Sequence, residues 1–391
     1  RTGTRVFVDL VTVASHTCGR TAEGRAYCWG YDLYGQLGNG SVSGNQSRPS
    51  LVDTSGMLGS RVFTKLAAGN YHTCGLAADG VAYCWGLDGF AQLGNGAPLS
   101  NETSPSVVDT SGIPGNRGIA EIVSAGWHTC ALTADGIAYC WGYDFYGQLG
   151  NGAVLTTNQP SPTAVDTAAL GGATFVRLVL GGTHTCGLAT DGVAYCWGRD
   201  ADGELGAGAF IGNQASPSLV DTSGFAGNPL FAQLVAGGLH TCGITADGVA
   251  YCWGRDADGQ LGNGATGGSQ PAPTLVDTSG IAGNATFVRL TGGGYHSCGL
   301  TAAGVAYCWG DDLYSQIGNG ATTTDQISPS AVDTAGIAGN RVFGSLRAGG
   351  YHTCGIAVDG VSYCWGNDDV GQLGNDIFLI ANQALPSAVV F

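Results

Sequence analysis

The chain folds around the stretch Gly69-Asn70-Tyr71-His72-Thr73-Cys74-Gly75-Leu76 and the following Asp79-Gly80-Val81-Ala82-Tyr83-Cys84-Trp85-Gly86. Close copies of this stretch recur along the whole chain. The histidine returns at a constant interval, at His16, His72, His128, His184, His240, His296 and His352. Self-similarity at a fixed period is typical of repeat architectures. We therefore expect residues 1–391 to form one periodic object, a single domain of seven repeats.

Each repeat has the pattern of about four short β-strands. Runs rich in Val, Tyr, Thr and Trp alternate with Gly, Asn, Asp and Pro clusters, and no segment keeps a helical period beyond a turn or two. Four-stranded units repeated seven times predict an all-β fold, a seven-bladed β-propeller whose radial repetition protects the sheet edges. The chain starts in the middle of a unit, and Pro386–Val389 matches the strand that precedes such a segment elsewhere. We expect this C-terminal strand to complete the blade that the N-terminus begins, so that the terminal strands close the ring.

The central hairpin of each repeat predicts a disulfide. If Ala22-Glu23-Gly24 is a three-residue loop with Gly24 in the left-handed conformation, Cys18 lies opposite Cys28, about 4.5–5.5 Å away between Cα atoms. The same register recurs in every repeat. Reduced core thiols and a metal site are the alternatives, but the spacing matches no common zinc motif. The predicted pairs are Cys18–Cys28, Cys74–Cys84, Cys130–Cys140, Cys186–Cys196, Cys242–Cys252, Cys298–Cys308 and Cys354–Cys364.

Composition and charge exclude several classes of partner. The chain has 14 basic against 29 acidic residues and a net charge of −15, which argues against nucleic acid and anionic membranes. No run of about 18 apolar residues predicts a transmembrane segment. The first residue is Arg1, so we expect a processed or truncated chain whose targeting segment is not visible. Paired cysteines favour an oxidising compartment, and we expect an extracellular or cell-surface location.

The repeated polar residues favour a structural role over catalysis. An active site needs one asymmetric constellation, whereas the histidines and the aspartates after each Trp-Gly pair recur in every repeat. We expect each histidine to bond the backbone and each aspartate to accept from loop amides. We predict no enzyme activity, no catalytic residue, no metal and no cofactor. The Asp-Ala-Asp-Gly segments at 200–203 and 256–259 are only half of a calcium-loop pattern. Asn39, Asn45, Asn101 and Asn284 begin glycosylation sequons, which leaves glycan attachment open.

Function in a repeat protein is better sought where the repeats differ. Three positions in the period vary between aromatic and charged residues: the residue before each histidine, and the second and fifth residues after the tryptophan of each Trp-Gly pair. Aromatic and Arg side chains are typical of protein-binding hot spots, although the aromatics would also serve to cover neighbouring blades. The predicted partner-binding residues are Tyr34, Tyr71, Phe90, Trp127, Tyr146, Arg199, Arg255, Tyr295, Tyr314 and Tyr351.

The Gly-x-x-His strand, as in Gly69–His72, and the segment Trp29-Gly30 to Gln36-Leu37-Gly38 resemble the repeat of the regulator of chromosome condensation family. The resemblance recurs seven times and implies a seven-bladed propeller. It implies little about function, because the family includes nuclear exchange factors, photoreceptors and secreted bacterial inhibitors. The paired cysteines and the acidic balance are unlike the nuclear members. In these two features the chain is similar to the secreted bacterial members of the family, which include an inhibitor of β-lactamases.

We therefore expect a non-enzymatic extracellular propeller that acts as a protein-interaction or surface-structural module, such as a coat, filament or adhesion component. Its partner would be another protein or a second copy of the chain. Two alternatives stay open. One is an inhibitor of a secreted enzyme, and the other is a metal-binding or carbohydrate-binding propeller.

Overall fold

A computed structural model describes residues 6–42, 44–96, 99–116, 118–153, 157–226, 230–284, 286–320, 324–337, 342–377 and 382–391. These residues form seven four-stranded antiparallel sheets, each built from four strands consecutive in the chain. The sheets are the seven blades of a β-propeller, as the sequence predicts. In the described part of the segments between blades there are three single-turn 3-10 helices, at Pro114–Asn116, Ala168–Leu170 and Ala282–Asn284.

The first two strands of each blade form its inner half. The first strands surround the central cavity; they are Phe7–Thr12 (β1), Phe63–Ala68 (β5), Ile119–Ala125 (β9), Phe175–Leu180 (β13), Phe231–Ala236 (β17), Phe287–Gly292 (β21) and Phe343–Ala348 (β25). The second strands begin at the repeated histidine; they are His16–Thr21 (β2), His72–Ala77 (β6), His128–Thr133 (β10), His184–Ala189 (β14), His240–Thr245 (β18), His296–Thr301 (β22) and His352–Ala357 (β26).

The other two strands form the outer half. The third strands end at the Trp-Gly pair; they are Ala26–Gly30 (β3), Ala82–Gly86 (β7), Ala138–Gly142 (β11), Ala194–Gly198 (β15), Ala250–Gly254 (β19), Ala306–Gly310 (β23) and Ser362–Gly366 (β27). The outer strands are Gln46–Leu51 (β4), Glu102–Val107 (β8), Gln159–Ala164 (β12), Gln214–Leu219 (β16), Gln270–Leu275 (β20), Gln326–Ala331 (β24) and Gln383–Ala388 (β28).

The hairpin between the second and third strands has the predicted register. Gly24 lies in the left-handed region with φ of 78°, and Cys18 pairs with Cys28 across β2 and β3. A disulfide joins the two cysteines in each blade, with Cα atoms 4.0–4.1 Å apart, slightly closer than the sequence predicts. None of the cysteines is free among the residues that the structure describes. Every bridge is buried, so seven equivalent covalent links lie inside the blades.

The predicted closure by a shared blade is wrong. Strand β28 pairs with β27 in the last blade, whereas β1 pairs with β2 in the first blade. The ring closes by packing between these two complete blades, where β1 contacts β25 and β26. The Arg347 guanidinium bonds the Asp9 carboxylate at 2.9 Å across this seam, and the Phe391 ring lies 4.8 Å from that of Phe7. A periodic sequence does not show whether a given strand pairs with the strand before it or with the one after.

Tryptophan links successive blades. The Trp85 side chain is fully buried, and its indole N–H donates to the carbonyl of Gln36 in the preceding blade at 3.0 Å. Gly38 packs against this indole with φ of 69°, and a Cβ atom there would lie 2.4 Å from Trp85 Nε1. This contact and the left-handed backbone explain why the Gln-Leu-Gly segment ends in glycine. The equivalent contacts recur around the ring, including the seam, where Trp29 donates to the carbonyl of Gln372 at 2.9 Å.

Candidate protein-interaction surface

Two sets of loops share one face of the propeller. One set joins the first and second strands of each blade, and the other follows the Trp-Gly pair and joins the third and fourth strands. In an antiparallel sheet of consecutive strands the connections alternate between the two ends, so the first and third connections lie at the same end. Their backbones are joined directly, as where the Tyr31 amide donates to the Ser15 carbonyl at 2.9 Å. We call this side the loop face. All three variable positions of the repeat lie on it, so the structure brings the predicted partner-binding residues to one face.

Aromatic side chains of the first three blades form a continuous arc on the loop face. The Tyr71 ring lies 5.4 Å from Tyr34 in the first blade and 5.5 Å from Trp127 in the third, measured between ring centroids. Phe90 lies 4.9 Å from Trp127 and 5.2 Å from Tyr143. We define the aromatic arc as Tyr31, Tyr34, Tyr71, Phe90, Trp127, Tyr143, Phe145 and Tyr146.

The arc combines rigid packing with exposed apolar surface. Most of its rings are half-buried, because each one packs on a ring of the same or the next blade. Phe145 is 59% exposed and Leu33 is 57% exposed, both at the fourth position after the Trp-Gly tryptophan. Our sequence prediction does not include Phe145. The signal lay in the sequence, since this position also varies between repeats and lies between two others that the prediction uses. The contacts across blades show that the aromatics cover their neighbours and also present a surface.

A second, smaller aromatic group lies across the ring. Tyr351 lies 5.4 Å from Tyr295 and 4.9 Å from Tyr314, and the guanidinium of Arg255 sits 5.8 Å above the Tyr295 ring. Burial and the neighbouring Tyr295 hydroxyl raise the pKa of Tyr351, so its phenol stays protonated at neutral pH. This group adds a cation–π contact to the loop face.

The fourth blade replaces the aromatics by an ionic network. Glu204 occupies the position where every other repeat has glutamine, and it is fully buried. The Arg199 guanidinium contacts both Glu204 and Asp202, the latter at 2.7 Å, and the Asp202 amide donates to Glu204 at 2.8 Å. Burial raises the pKa of Glu204 to about 7. Arg199 therefore makes intrachain ion pairs, and its role in binding a partner stays a prediction.

The repeated histidines form a ring of hydrogen bonds between blades. Each Nε2 lies 2.8–2.9 Å from the hydroxyl at the position after the next histidine, as in His16 with Thr73, and His352 bonds Thr17 to complete the ring. Our expectation of backbone partners was wrong, because the hydroxyl lies between the imidazole and the backbone. The Thr73 hydroxyl donates its one proton to the Gln36 carbonyl at 2.8 Å, so it must accept from His16 Nε2–H.

This arrangement keeps the imidazoles neutral. The opposite ring nitrogen, Nδ1, is buried in all seven histidines and has no hydrogen-bond partner among the residues that the structure describes. A second proton would have no acceptor there, and complete burial lowers the pKa of His72 to about 3. An imidazole in this state does not exchange protons near neutral pH. The geometry indicates a structural role.

The repeated aspartates organise the loop after each Trp-Gly pair. Asp88 Oδ1 accepts from the Leu93 amide at 3.0 Å, and Asp200 accepts from the amides of Leu205 and Ile211. The prediction that these carboxylates bond loop amides is confirmed. Burial raises the pKa of Asp88 to about 6. In the part of the chain that the structure describes, no three His, Cys, Asp or Glu side chains converge as a metal site.

Two sequon asparagines serve the same loops. Asn101 accepts from the Asp88 amide at 3.1 Å, and Asn45 accepts from the Asp32 amide at 3.3 Å. Asn39 donates to Ser50 Oγ at 3.4 Å. The side chain of Asn284 lies outside the described residues. No helix among the described residues is long and apolar enough to cross a membrane.

Comparison with known proteins identifies the relatives of this architecture. The RCC1-like domain family matches residues 1–292, and the regulator of chromosome condensation (RCC1) repeat matches 287–316 and 345–372. The mitochondrial RCC1 domain-containing protein RUG3 of Arabidopsis thaliana is 28% identical over 89% of this chain and 78% of its own. The ultraviolet-B receptor UVR8 of the same plant is 27% identical over 92% of this chain and 77% of its own. The crystal structure of Prp20p from Saccharomyces cerevisiae superposes with a TM-score of 0.80 at 19% identity, covering 99% of this chain and 88% of that one.

Proposed function

Since the chain belongs to the family of RCC1-like propellers, we propose that it is a non-enzymatic protein-interaction module whose partner docks on the aromatic arc of the loop face. The observation that carries this proposal is the continuity of the arc over three blades. Tyr, Trp and Phe give large contact areas with few rotatable bonds, and they dominate the energetics of protein interfaces. The seven internal disulfides and the interblade hydrogen bonds hold the platform rigid, which reduces the entropy lost on binding.

The relatives support a binding role. The solved structure of Prp20p is described together with its binding to Gsp1p and histones, so a propeller of this fold binds other proteins. For the present chain, the net charge of −15 disfavours nucleic acid as the partner. The partner that best fits the arc is a folded protein with an apolar patch, because the arc offers rings and few charges.

We also propose that the module works outside the cell or at its surface. Seven intrablade disulfides support this location, since reducing compartments keep most thiols unpaired. Protease treatment of intact cells of the source organism should then remove the protein, whereas a cytosolic marker stays whole. Protection of the protein until the cells are lysed would contradict this location. Glycan attachment at Asn39 or Asn101 would agree with it, and the intact mass of the native protein reports any glycan.

A photocrosslinking experiment tests the docking face. The amino acid p-benzoylphenylalanine is introduced at Phe145 in the arc or, as a matched control, at Leu219 on an outer strand, where exposure is almost the same, 59% against 58%. Irradiation of the protein in its native setting should give a discrete adduct from position 145 and none from position 219. Adducts from both positions, or from position 219 alone, would refute docking on the arc.

The mass of the adduct identifies which kind of partner docks on the arc. An adduct of two copies of this chain indicates a coat, filament or adhesive assembly. An adduct with a secreted enzyme indicates an inhibitor, and alanine at Trp127, Tyr71 or Tyr146 should then abolish the complex. Leu275→Ala on another outer strand, where the side chain is 56% exposed, should leave the affinity unchanged.

A further inference from the structure

The residues just before the repeated histidines surround the mouth of the central cavity on the loop face, and the cavity has a volume of about 730 Å³. We call the three residues before each histidine the collar; they are 13–15, 69–71, 125–127, 181–183, 237–239, 293–295 and 349–351. The collar is joined between blades, as where the Asn70 amide donates to the Gly126 carbonyl at 2.9 Å and the Gly350 amide to the Val13 carbonyl at 3.0 Å. These bonds hold the collar side chains in defined positions around the mouth.

The second blade departs from the others at the middle position of the collar. This position holds glycine in five blades and alanine in the first. A Cβ atom on Gly182 would lie 2.8 Å from the Gly238 carbonyl oxygen, and one on Gly238 would lie 2.5 Å from the Gly294 carbonyl oxygen, so these blades exclude a side chain. Asn70 occupies the position in the second blade, is half-buried and lines the cavity. Its carboxamide makes no hydrogen bond with any residue that the structure describes, so it is available to a ligand.

The last position of the collar brings two pairs of aromatic rings to the same cavity. Tyr71 and Trp127, in the second and third blades, lie 5.5 Å apart between ring centroids. Tyr295 and Tyr351, in the sixth and seventh blades, lie 5.4 Å apart. Because successive inner strands pack side by side around a ring of seven, these two pairs lie on opposite sides of the mouth. A ligand in the mouth is therefore flanked by aromatic side chains on two sides.

The charged side chains of the cavity are mostly neutralised. Glu121 bonds Lys65 at 2.7 Å, and Arg347 bonds Asp9 at 2.9 Å. Arg177 also lines the cavity, but it belongs to the half of its strand that is remote from the loop face. The groups around the mouth are therefore aromatic rings and uncharged hydrogen-bonding groups. Their combination with a volume in the range of small-ligand sites favours a neutral ligand.

We propose that the mouth of the central cavity binds a neutral oligosaccharide. A sugar ring has an apolar C–H face that packs on aromatic rings, and hydroxyls at its edge that both donate and accept hydrogen bonds, as the Asn70 carboxamide does. The planes of Tyr71 and Trp127 are inclined by 54°, which forms a corner and not the parallel walls that suit a flat heteroaromatic ring. The net charge of −15 disfavours an acidic sugar. Asn70 and Tyr295 lie outside the aromatic arc, so this site goes beyond the protein-docking surface.

Trp127 reports on the site, because the other seven of the eight tryptophans are fully buried and Trp127 is half-buried. The labelled full chain is applied to an array of immobilised neutral and acidic oligosaccharides, and the neutral oligosaccharide that binds best is titrated in solution by calorimetry and tryptophan emission. We expect saturable binding of one oligosaccharide per chain and a change in emission that follows the same curve. Absence of binding on the array, binding of acidic oligosaccharides alone, or unchanged emission at saturation would overturn the proposal.

Two variants use residues that other blades already hold at the same positions. Asn70→Gly introduces the glycine of five blades, and Tyr295→Leu introduces the residue of the fifth blade, Leu239. Each should weaken binding by about twofold to tenfold, the usual effect of losing one neutral hydrogen bond or one aromatic contact. The matched control is Phe210→Leu, which removes a ring that is 57% exposed and does not line the cavity, and its affinity should equal that of the wild type.

The variants are compared once their unfolding midpoints without sugar match that of the wild type. If Tyr295→Leu fails to fold, Asn70→Gly is compared with Asn70→Ala, which introduces the residue of the first blade, Ala14. Both should bind more weakly than the wild type. Wild-type affinity in every Asn70 and Tyr295 variant that folds, or an equal loss in Phe210→Leu, would overturn the proposal.

Discussion

The interior of this propeller is nearly the same in every blade, whereas its loop face differs between blades. In the interior, the disulfide, the tryptophan bond and the histidine bond recur in all seven blades with nearly the same distances. On the loop face, the same positions of the repeat hold aromatic rings in three blades and an ionic network in the fourth. The groups that hold the ring together must all fit the same blade geometry, whereas side chains on the loop face can differ from blade to blade. Stability therefore resides in what the repeats share, and specificity in what they do not.

Of the changes considered, loss of the disulfides in the interior should cause the largest decrease in stability. Each bridge joins cysteines ten residues apart and is worth about 2–3 kcal/mol in the chain-entropy model. Seven of them rival the whole stability of a typical domain, about 5–15 kcal/mol. We expect the denatured chain to refold after dilution when it is oxidised and to fail when it is reduced, as followed by tryptophan fluorescence. Equal refolding in both states would show that the bridges are dispensable.

The state of the thiols has a separate check. The chain is denatured and alkylated without reductant, and its intact mass is measured. We expect no alkylation at all. Fourteen alkylated cysteines would mean that the protein exists in its reduced form.

Acid should destabilise the interior in a narrow pH range. The folded histidines have a pKa of about 3 or 4 against 6.5 when unfolded, so the unfolded chain gains their protons first and stability falls as the pH drops below 6.5. Buried carboxyls act in the opposite sense, because burial raises the pKa of Asp88, Asp144 and Asp368 to about 6 in the fold. The two sets offset each other between about pH 6 and 4.

Below about pH 4 the unfolded carboxyls are protonated as well, so the offset ends. The histidines then favour unfolding, and so do surface carboxyls such as Asp53 and Asp109, whose pKa is lowered by hydrogen bonds from the loop that follows each of them. We therefore expect the denaturant midpoint to change little between pH 6 and 4 and to fall steeply below about pH 4. The variant Asp88→Asn removes one of the buried carboxyls that offset the histidines. Its denaturant midpoint should therefore begin to fall at a higher pH than that of the wild type. A steady decline of the wild-type midpoint from pH 6.5 downward would contradict the offset.

Loss of a single hydrogen bond between blades should lower the free energy of unfolding less than loss of the disulfides does, and by the same amount at every blade. Thr73→Val leaves His16 Nε2–H buried without an acceptor, which costs roughly 1–3 kcal/mol. Thr17→Val does the same to His352 at the seam, and we expect an equal loss in the free energy of unfolding. Thr64→Val is the control, since within the described chain that exposed hydroxyl bonds only the Leu76 carbonyl of its own blade. Its loss should change stability by less than about 0.5 kcal/mol. A much larger loss at Thr17 would show that the seam is the weak point of the ring.

The smallest effect is expected on the loop face, in the ionic network of the fourth blade. Glu204→Gln restores the residue of the other repeats. Because burial raises the pKa of Glu204 to about 7 from an ordinary value of 4.5, the wild type loses stability as the pH rises through 7. Across pH 5 to 8, the denaturant midpoint of the variant should depend less on pH than that of the wild type. An unchanged pH dependence would mean that Arg199 keeps Glu204 ionised throughout.

Much of the interior was predictable because it is local in sequence. The three-residue loop ending at Gly24 sets the register of one hairpin, and that register places Cys18 opposite Cys28. The histidine partners were not predicted, although a Thr or Ser follows every histidine. The bond joins one repeat to the next, as in His16 and Thr73, and the pattern of one repeat does not show which groups face a neighbour.

The period, the number of blades and the pairing of every cysteine follow from the amino-acid sequence alone, because hairpins of this length have few alternative registers. The tertiary structure decided which strands share a blade, since a circular repeat has no inherent starting point. It also decided that Tyr71 meets Trp127, residues in different blades whose rings lie 5.5 Å apart. Such contacts depend on ring closure, which brings distant residues together at separations that a linear pattern does not encode.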